Sequence, residues 1–152
     1  MGKHMRVIHY LNQFFAGEGG EDAAYAEVHA KPGAIGPGKA VENALGNRGN
    51  VVATVICGDN WFSENTSKAV EKIISLILPY DPDILIAGPA FEAGRYGIAC
   101  GTICQEVQAR LKIPAVTAMY KENTAVEIFK KNIYILSTED SVKGMAGAVS
   151  VA

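Results

Sequence analysis

Short apolar runs alternate with amphipathic stretches along this chain, and the alternation predicts an α/β fold. Met5–Leu11 reads as a first strand, and a Gly-rich, acidic loop follows over residues 12–32. Pro37 opens a helix that runs through Leu45, with Gly46 placed to cap its end. Val51–Ile56 is a second strand, β-branched at nearly every position, as suits a strand covered on both faces. Ser63 reads as the N-cap of the next helix, with Glu64 in its first turn. That helix sets Val70, Ile73, Ile74 and Ile77 on one stripe before Pro79 and Pro82 stop it. Ile84–Ala87 is a third strand and Ile98–Leu111 a helix. Pro114 introduces a fourth strand, Ala115–Ala118. A helix from about Asn123 to Lys131 leads into a fifth, Ile133–Leu136, and a last helix begins near Glu139.

Parallel neighbours need crossover connections, and those are right-handed. The pattern therefore predicts a three-layer, doubly wound, five-stranded parallel sheet with helices on both faces. The flavodoxin-like order 2-1-3-4-5 is preferred, with the Rossmann-like order as the alternative. The third strand should be central, because Ile84, Leu85 and Ile86 are consecutively apolar.

Composition narrows the class. The 152 residues are 49% hydrophobic and 20% charged, which suits one globular α/β domain over residues 6–152. Met1-Gly2-Lys3-His4-Met5 reads as a cloning remnant. A net charge of −2 without a basic run argues against nucleic acid. No apolar stretch, Ile73 to Leu78 included, approaches the roughly 18 residues of a membrane span. Three cysteines without zinc spacing fit a reducing cytoplasm.

Chemistry-bearing residues gather after the carboxyl ends of the predicted strands, where open α/β sheets bind ligands. Asn12 and Gln13 follow the first strand; Cys57, Gly58, Asp59, Asn60 and Trp61 follow the second. Gly88-Pro89-Ala90-Phe91-Glu92-Ala93-Gly94-Arg95-Tyr96-Gly97 follows the third and is read as a ligand loop, longer and chemically richer than a plain connection. The opposite connections, such as Tyr80-Asp81-Pro82, are plainer.

Several of these residues also have an ordinary structural reading. Asp59 and Asn60 serve equally well as a helix cap. Glu92 and Arg95 either stiffen the loop by pairing or orient a ligand. Cys100 and Cys104 share an apolar stripe and read as core thiols, while Cys57, at a strand end, is a weak nucleophile candidate with no visible activating base. His9 reads as a hydrogen-bonded core histidine, and His29 as a loop residue without a nameable partner. Gly33-Ala34-Ile35-Gly36-Pro37-Gly38 has the wrong glycine order for a dinucleotide fingerprint, and the acidic first loop would repel a phosphate. No cofactor or metal is expected to be bound by this chain.

The segments His9-Tyr10-Leu11-Asn12-Gln13-Phe14-Phe15, Gly19-Gly20-Glu21, Gly33–Gly38 and Val52–Asn60 occur in an order that resembles a known family. So do Ala87-Gly88-Pro89-Ala90-Phe91, Ala93–Gly97, Ala99-Cys100-Gly101 and Ile113–Thr117. The chain resembles the amino-terminal domain of the component B selenoprotein subunit of the glycine, sarcosine and betaine reductases. The resemblance implies reductive cleavage of the C–N bond of glycine or an N-methylated glycine in amino-acid-fermenting anaerobes. It implies a pyruvoyl group on a partner B-component subunit, which captures the amine, and a selenocysteine in a later part of this subunit. It also implies a selenoprotein A and a component that releases acetyl phosphate.

Neither a selenocysteine nor a C-x-x-C motif occurs in these 152 residues. The chain is thus expected to be the amino-terminal part of a longer subunit, to supply a substrate pocket and subunit contacts, and not to turn over alone. The expected substrate residues are Asn12, Asp59, Asn60, Gly88, Phe91, Glu92, Gly94, Arg95 and Tyr96, with Arg95 on the carboxylate. Phe91, Trp61 or Tyr96 would add cation–π attraction at the amine. The alternatives are a non-catalytic scaffold for the pyruvoyl-bearing subunit and a free-standing small-molecule sensor; a homo-oligomer is compatible with each.

Overall fold

The computed structural model describes residues 4–137. Its centre is a six-stranded sheet built from β1 (Met5–Asn12), β2 (His29–Pro32), β3 (Gly49–Cys57), β4 (Ile84–Ala87), β5 (Ala115–Met119) and β6 (Tyr134–Ser137). The order is β2-β3-β1-β4-β5-β6. All neighbours are parallel except β2, which runs antiparallel to β3. The five parallel strands follow the flavodoxin-like order, and β4 is interior between β1 and β5.

The sixth strand corrects the expectation of five. His29-Ala30-Lys31-Pro32 lacks a run of strand formers and ends in proline, so its sequence reads as loop. It is a strand because β3 offers an open edge, pairing His29 with Ile56 and Lys31 with Thr54. A four-residue edge strand with an exposed Lys31 and Pro32 is a common way to close such an edge.

Period-2 alternation divides the strands between two cores. Ile8, Tyr10, Val55, Leu85, Ala87 and Met119 face one side with the apolar stripes of α3 (Thr66–Ile77) and α4 (Gly94–Leu111). Val7, Val51, Ile84, Ile86 and Val116 face the other, where Val41 and Leu45 of α1 (Pro37–Leu45) cover them. Gly46 caps α1 with φ 57°. The expected helix near Glu139 falls outside the described residues. Among the described residues no helix is long and apolar enough to cross a membrane.

Two helix starts move toward the site. Ser63 is not an N-cap: α2 (Asp59–Glu64) already begins at Asp59, and the chain restarts at Asn65 to form α3. The reason is tertiary. The first helical N–H groups have no partner within their own helix, and the Ala24 carbonyl accepts from Asn60 at 2.9 Å and Trp61 at 3.0 Å. In the same way α4 begins at Gly94 rather than Ile98, so the connection after β4 shrinks to residues 88–93. That is inside the usual range of about 2–6 residues, and its length is no argument for a site.

Candidate functional site

The carboxyl ends of β1, β3 and β4 converge. Asn12 is the register partner of Cys57, so the side chains just past these strands meet. Asn12 is 4% exposed; its Nδ2 donates to Asp59 Oδ2 at 2.9 Å and its Oδ1 accepts from the Phe15 N–H at 2.9 Å. Gln13 Oε1 accepts from the Asp59 N–H at 3.2 Å while its Nε2 donates to the Gly20 carbonyl at 3.3 Å. Asp59 Oδ1 is shielded from solvent and has no hydrogen-bond partner. Partial burial pushes the Asp59 carboxyl above its usual range, against the Asn12 hydrogen bond; Glu21 pushes it further up and Arg95 draws it down.

Two adjoining depressions share Gln13, Glu21, Asp59 and Ala93. The larger, about 480 Å³, is lined by Phe14, Phe15 and Phe91 together with Asn12. The smaller, about 210 Å³, takes in Asn60, Gly94, Arg95 and Tyr96. Arg95 is exposed, and its guanidinium donates to Asn60 Oδ1 at 2.7 Å. Tyr96 is fully buried: its hydroxyl donates to the Tyr10 carbonyl at 3.4 Å, and its ring stacks on Phe15 with centroids 5.7 Å apart.

Phe91 is held in a left-handed backbone conformation, φ 51°, which is uncommon for a bulky residue. Its carbonyl accepts from Tyr120 N–H at 2.9 Å and Asn123 Nδ2 at 3.0 Å, and Asn123 also donates to the Ala93 carbonyl at 3.1 Å. Those three bonds fix the loop from β5's side. Gly88, φ 96°, turns the chain out of β4. Its carbonyl accepts from His9 Nε2 at 2.6 Å, so His9 is a hydrogen-bonded core histidine; burial lowers its pKa to about 4.

The structure therefore gathers Asn12, Asp59, Asn60, Phe91, Gly94, Arg95 and Tyr96 around the paired depressions. Glu92 instead lines a separate depression of about 420 Å³ with Glu122, Asn123 and Thr124, which Gly94 also borders. Gly88 shapes the loop from within and lines none of the three. Cys57 is fully buried beneath the site; burial pushes its thiol up to about 12, which leaves no thiolate near neutral pH. Cys100 and Cys104 are core thiols, raised by burial in the same way.

Sequence reasoning placed Gln13, Phe14, Phe15, Glu21 and Asn123 after the carboxyl ends of strands but did not count them among the substrate residues. The first four share one loop with Asn12, and that adjacency was the available signal. Asn123 lay at the same face, after the fourth predicted strand, but its clamp on the loop was not legible because its contacts are made 30 and 32 positions away. His29 is no partnerless loop residue: it lies in β2 and meets Glu18 at 2.9 Å, with Lys31 on the same carboxylate at 3.0 Å. Burial raises the Glu18 carboxyl, but those two partners outweigh it and hold it below its usual range. Glu18 thereby ties the acidic loop to the sheet edge. Among the described residues no group of three or more His, Cys, Asp or Glu is placed to hold a metal ion.

The chain has relatives among known proteins. It is 51% identical over 144 residues to the glycine reductase complex component B subunit gamma of Carboxydothermus hydrogenoformans, a match that covers 95% of this chain and 33% of the relative. It is 46% identical over 147 residues to the sarcosine reductase complex component B subunit beta of Peptoclostridium acidaminophilum, covering 97% and 34%. With the betaine reductase complex component B subunit beta of the same organism it shares 42% over 131 residues, covering 86% and 30%. The chain spans about a third of the length of these relatives. The family described as glycine/sarcosine/betaine reductase selenoprotein B matches residues 4–152. A match over nearly every residue, including each loop that builds the paired depressions, means that this chain belongs to the glycine/sarcosine/betaine reductase selenoprotein B family.

Proposed function

We propose that this domain holds a small amino-acid zwitterion, glycine or an N-methylated glycine, at the carboxyl ends of β1, β3 and β4, inside a larger reductase complex. The observation that carries this is the charge layout of the paired depressions. One guanidinium, Arg95, borders the same small hollow as two carboxylates, Asp59 and Glu21. A zwitterion presents the reverse arrangement. Its carboxylate would take the fork of Arg95, positioned by Asn60. Its ammonium would lie toward Asp59 and Glu21, with the phenyl rings beyond.

The domain would bind and orient substrate while C–N cleavage is carried by groups outside residues 1–152. All three cysteines are buried, so this chain offers no thiolate to accept a two-carbon fragment. The relatives are named as subunits of reductase complexes, which supports contacts with partner subunits; the partner in this reading is the pyruvoyl-bearing subunit that the resemblance implies.

Isothermal titration of the chain with glycine, sarcosine and betaine tests the reading, with acetate and methylammonium as half-ligands. Saturable heat with a zwitterion and weaker heat with either half supports the pocket. Absence of heat with all three zwitterions overturns it and leaves the assembly scaffold.

A further inference from the structure

The relatives' names divide among glycine, sarcosine and betaine at 42–51% identity, so selectivity has to be sought in the site itself. We infer that the aromatic depression beside Asp59 selects a methylated over an unmethylated ammonium group, and that Phe14 and Phe91 set this preference. The inference rests on the zwitterion reading above and adds to it the identity of the amine end.

Three rings stand together there. Phe15 lies 5.2 Å from Phe14, edge to face, and 5.7 Å from Phe91, with a tilt of 37°. Phe15 is stacked on buried Tyr96 and forms a fixed floor. Phe14 is 62% and Phe91 38% exposed, so both rings are open to a ligand above that floor. Phe91 is also kept in its left-handed conformation by Tyr120 and Asn123, so the loop maintains the ring's position at a conformational cost.

The polar atoms of the same depression are largely spoken for. Both ends of the Asn12 amide and both ends of the Gln13 amide already make hydrogen bonds within the protein. The unspent recognition elements are ring faces and negative charge: Glu21 and the unpartnered Asp59 Oδ1. A shielded carboxylate oxygen without a donor is costly, and Glu21 beside it adds negative charge that attracts a cation with or without N–H groups. A primary ammonium brings three N–H donors and finds few free acceptors. A trimethylammonium brings none, and its methyl surface matches the rings by cation–π attraction and apolar contact.

The test is titration of the chain with betaine, glycine and tetramethylammonium, repeated on Phe14→Leu, Phe14→Tyr and Phe91→Leu, with thermal melting to confirm folding. Betaine is expected to bind more tightly than glycine. Each Leu variant should weaken betaine and tetramethylammonium by about 2–5-fold, the exposed-site worth of a cation–π contact, and weaken glycine by less. Phe14→Tyr keeps the ring and should restore betaine binding; since Phe14 is exposed, that pair of variants stays folded whatever Phe91→Leu does. Glycine binding as tightly as betaine overturns the inference while the zwitterion pocket stands. Equal losses for glycine and betaine in the Leu variants overturn it as well. Ring-dependent binding of tetramethylammonium without any zwitterion supports the aromatic site and sinks the zwitterion pocket.

Discussion

Asn12 at the end of β1 donates a hydrogen bond to Asp59 at the start of α2, 2.9 Å across the gap between two neighbouring parallel strands. The same Asn12 side chain accepts from the Phe15 N–H. One buried amide thus sets the position of the site's carboxylate and of the loop that carries its aromatic floor.

Asn12→Ala should destabilise the chain by about 1–3 kcal/mol, the cost of leaving buried polar groups unpaired. Urea unfolding measures this. An unchanged midpoint would mean that water replaces Asn12 at both partners.

Asp59→Asn should separate stability from binding. The folded pKa of Asp59 lies above its unfolded value, mainly through burial, so the native state keeps the proton longer. Stability therefore falls as pH rises through the window between the two values and stays at the lower level above it. Asn has no such titration. Relative to the variant, the parent should lose stability on going from acid to neutral pH, while the variant loses affinity for a cationic ligand. Denaturation at several pH values together with calorimetry checks both halves.

Arg95→Ala should weaken a carboxylate ligand by about 1.5–3 kcal/mol, the usual worth of a hydrogen bond to a charged group. Stability should change by less than about 0.5 kcal/mol, because Arg95 is exposed. Arg95→Lys should recover part of the affinity only, since an ammonium lacks the planar two-bond fork. Parallel titrations of glycine or betaine against the three proteins decide it; equal affinity in Arg95→Ala removes Arg95 from the site.

Gly97→Ala tests the clamp on the Phe91 loop. A Cβ at Gly97 would lie 2.7 Å from Asn123 Oδ1 and 2.8 Å from its Nδ2. Displacing Asn123 frees the Phe91 and Ala93 carbonyls that it holds. Amide exchange at Tyr120, whose N–H donates to the Phe91 carbonyl, should accelerate, with overpacking costing about 1–3 kcal/mol. Unaltered exchange would show that the loop is fixed without Asn123.

His9 supplies an acid-range prediction of opposite sign. Burial lowers its folded pKa to about 4 from 6.5, although the hydrogen bond to Gly88 partly opposes the shift. Its contribution is complete above the unfolded value and is lost as pH falls from 6.5 toward 4. At about 1.4 kcal/mol per unit, this amounts to roughly 3 kcal/mol. The His9 ring resonances should stay flat from pH 8 down to about 5; titration near 6.5 would place the ring in solvent.

The strand cores were determined by sequence alone. Ile84–Leu85–Ile86, the Val51–Ile56 run and the Met5–Leu11 run are local patterns of side-chain burial, and they fall on the observed strands with changes only at the ends. The convergence of Asn12, Asp59 and Arg95 at one edge was legible too, because parallel strands joined by right-handed crossovers deliver their carboxyl ends to the same side. Tertiary structure decided what depends on distant backbone partners. His29–Pro32 became a strand because β3 had an open edge. α2 started at Asp59 because the Ala24 carbonyl met its free N–H groups. Glu92 parted from Arg95 because α4 began four residues early and Asn60 took the guanidinium. A hydrogen bond between residues 20 or more positions apart leaves no periodicity in the chain, so only the folded geometry reveals it.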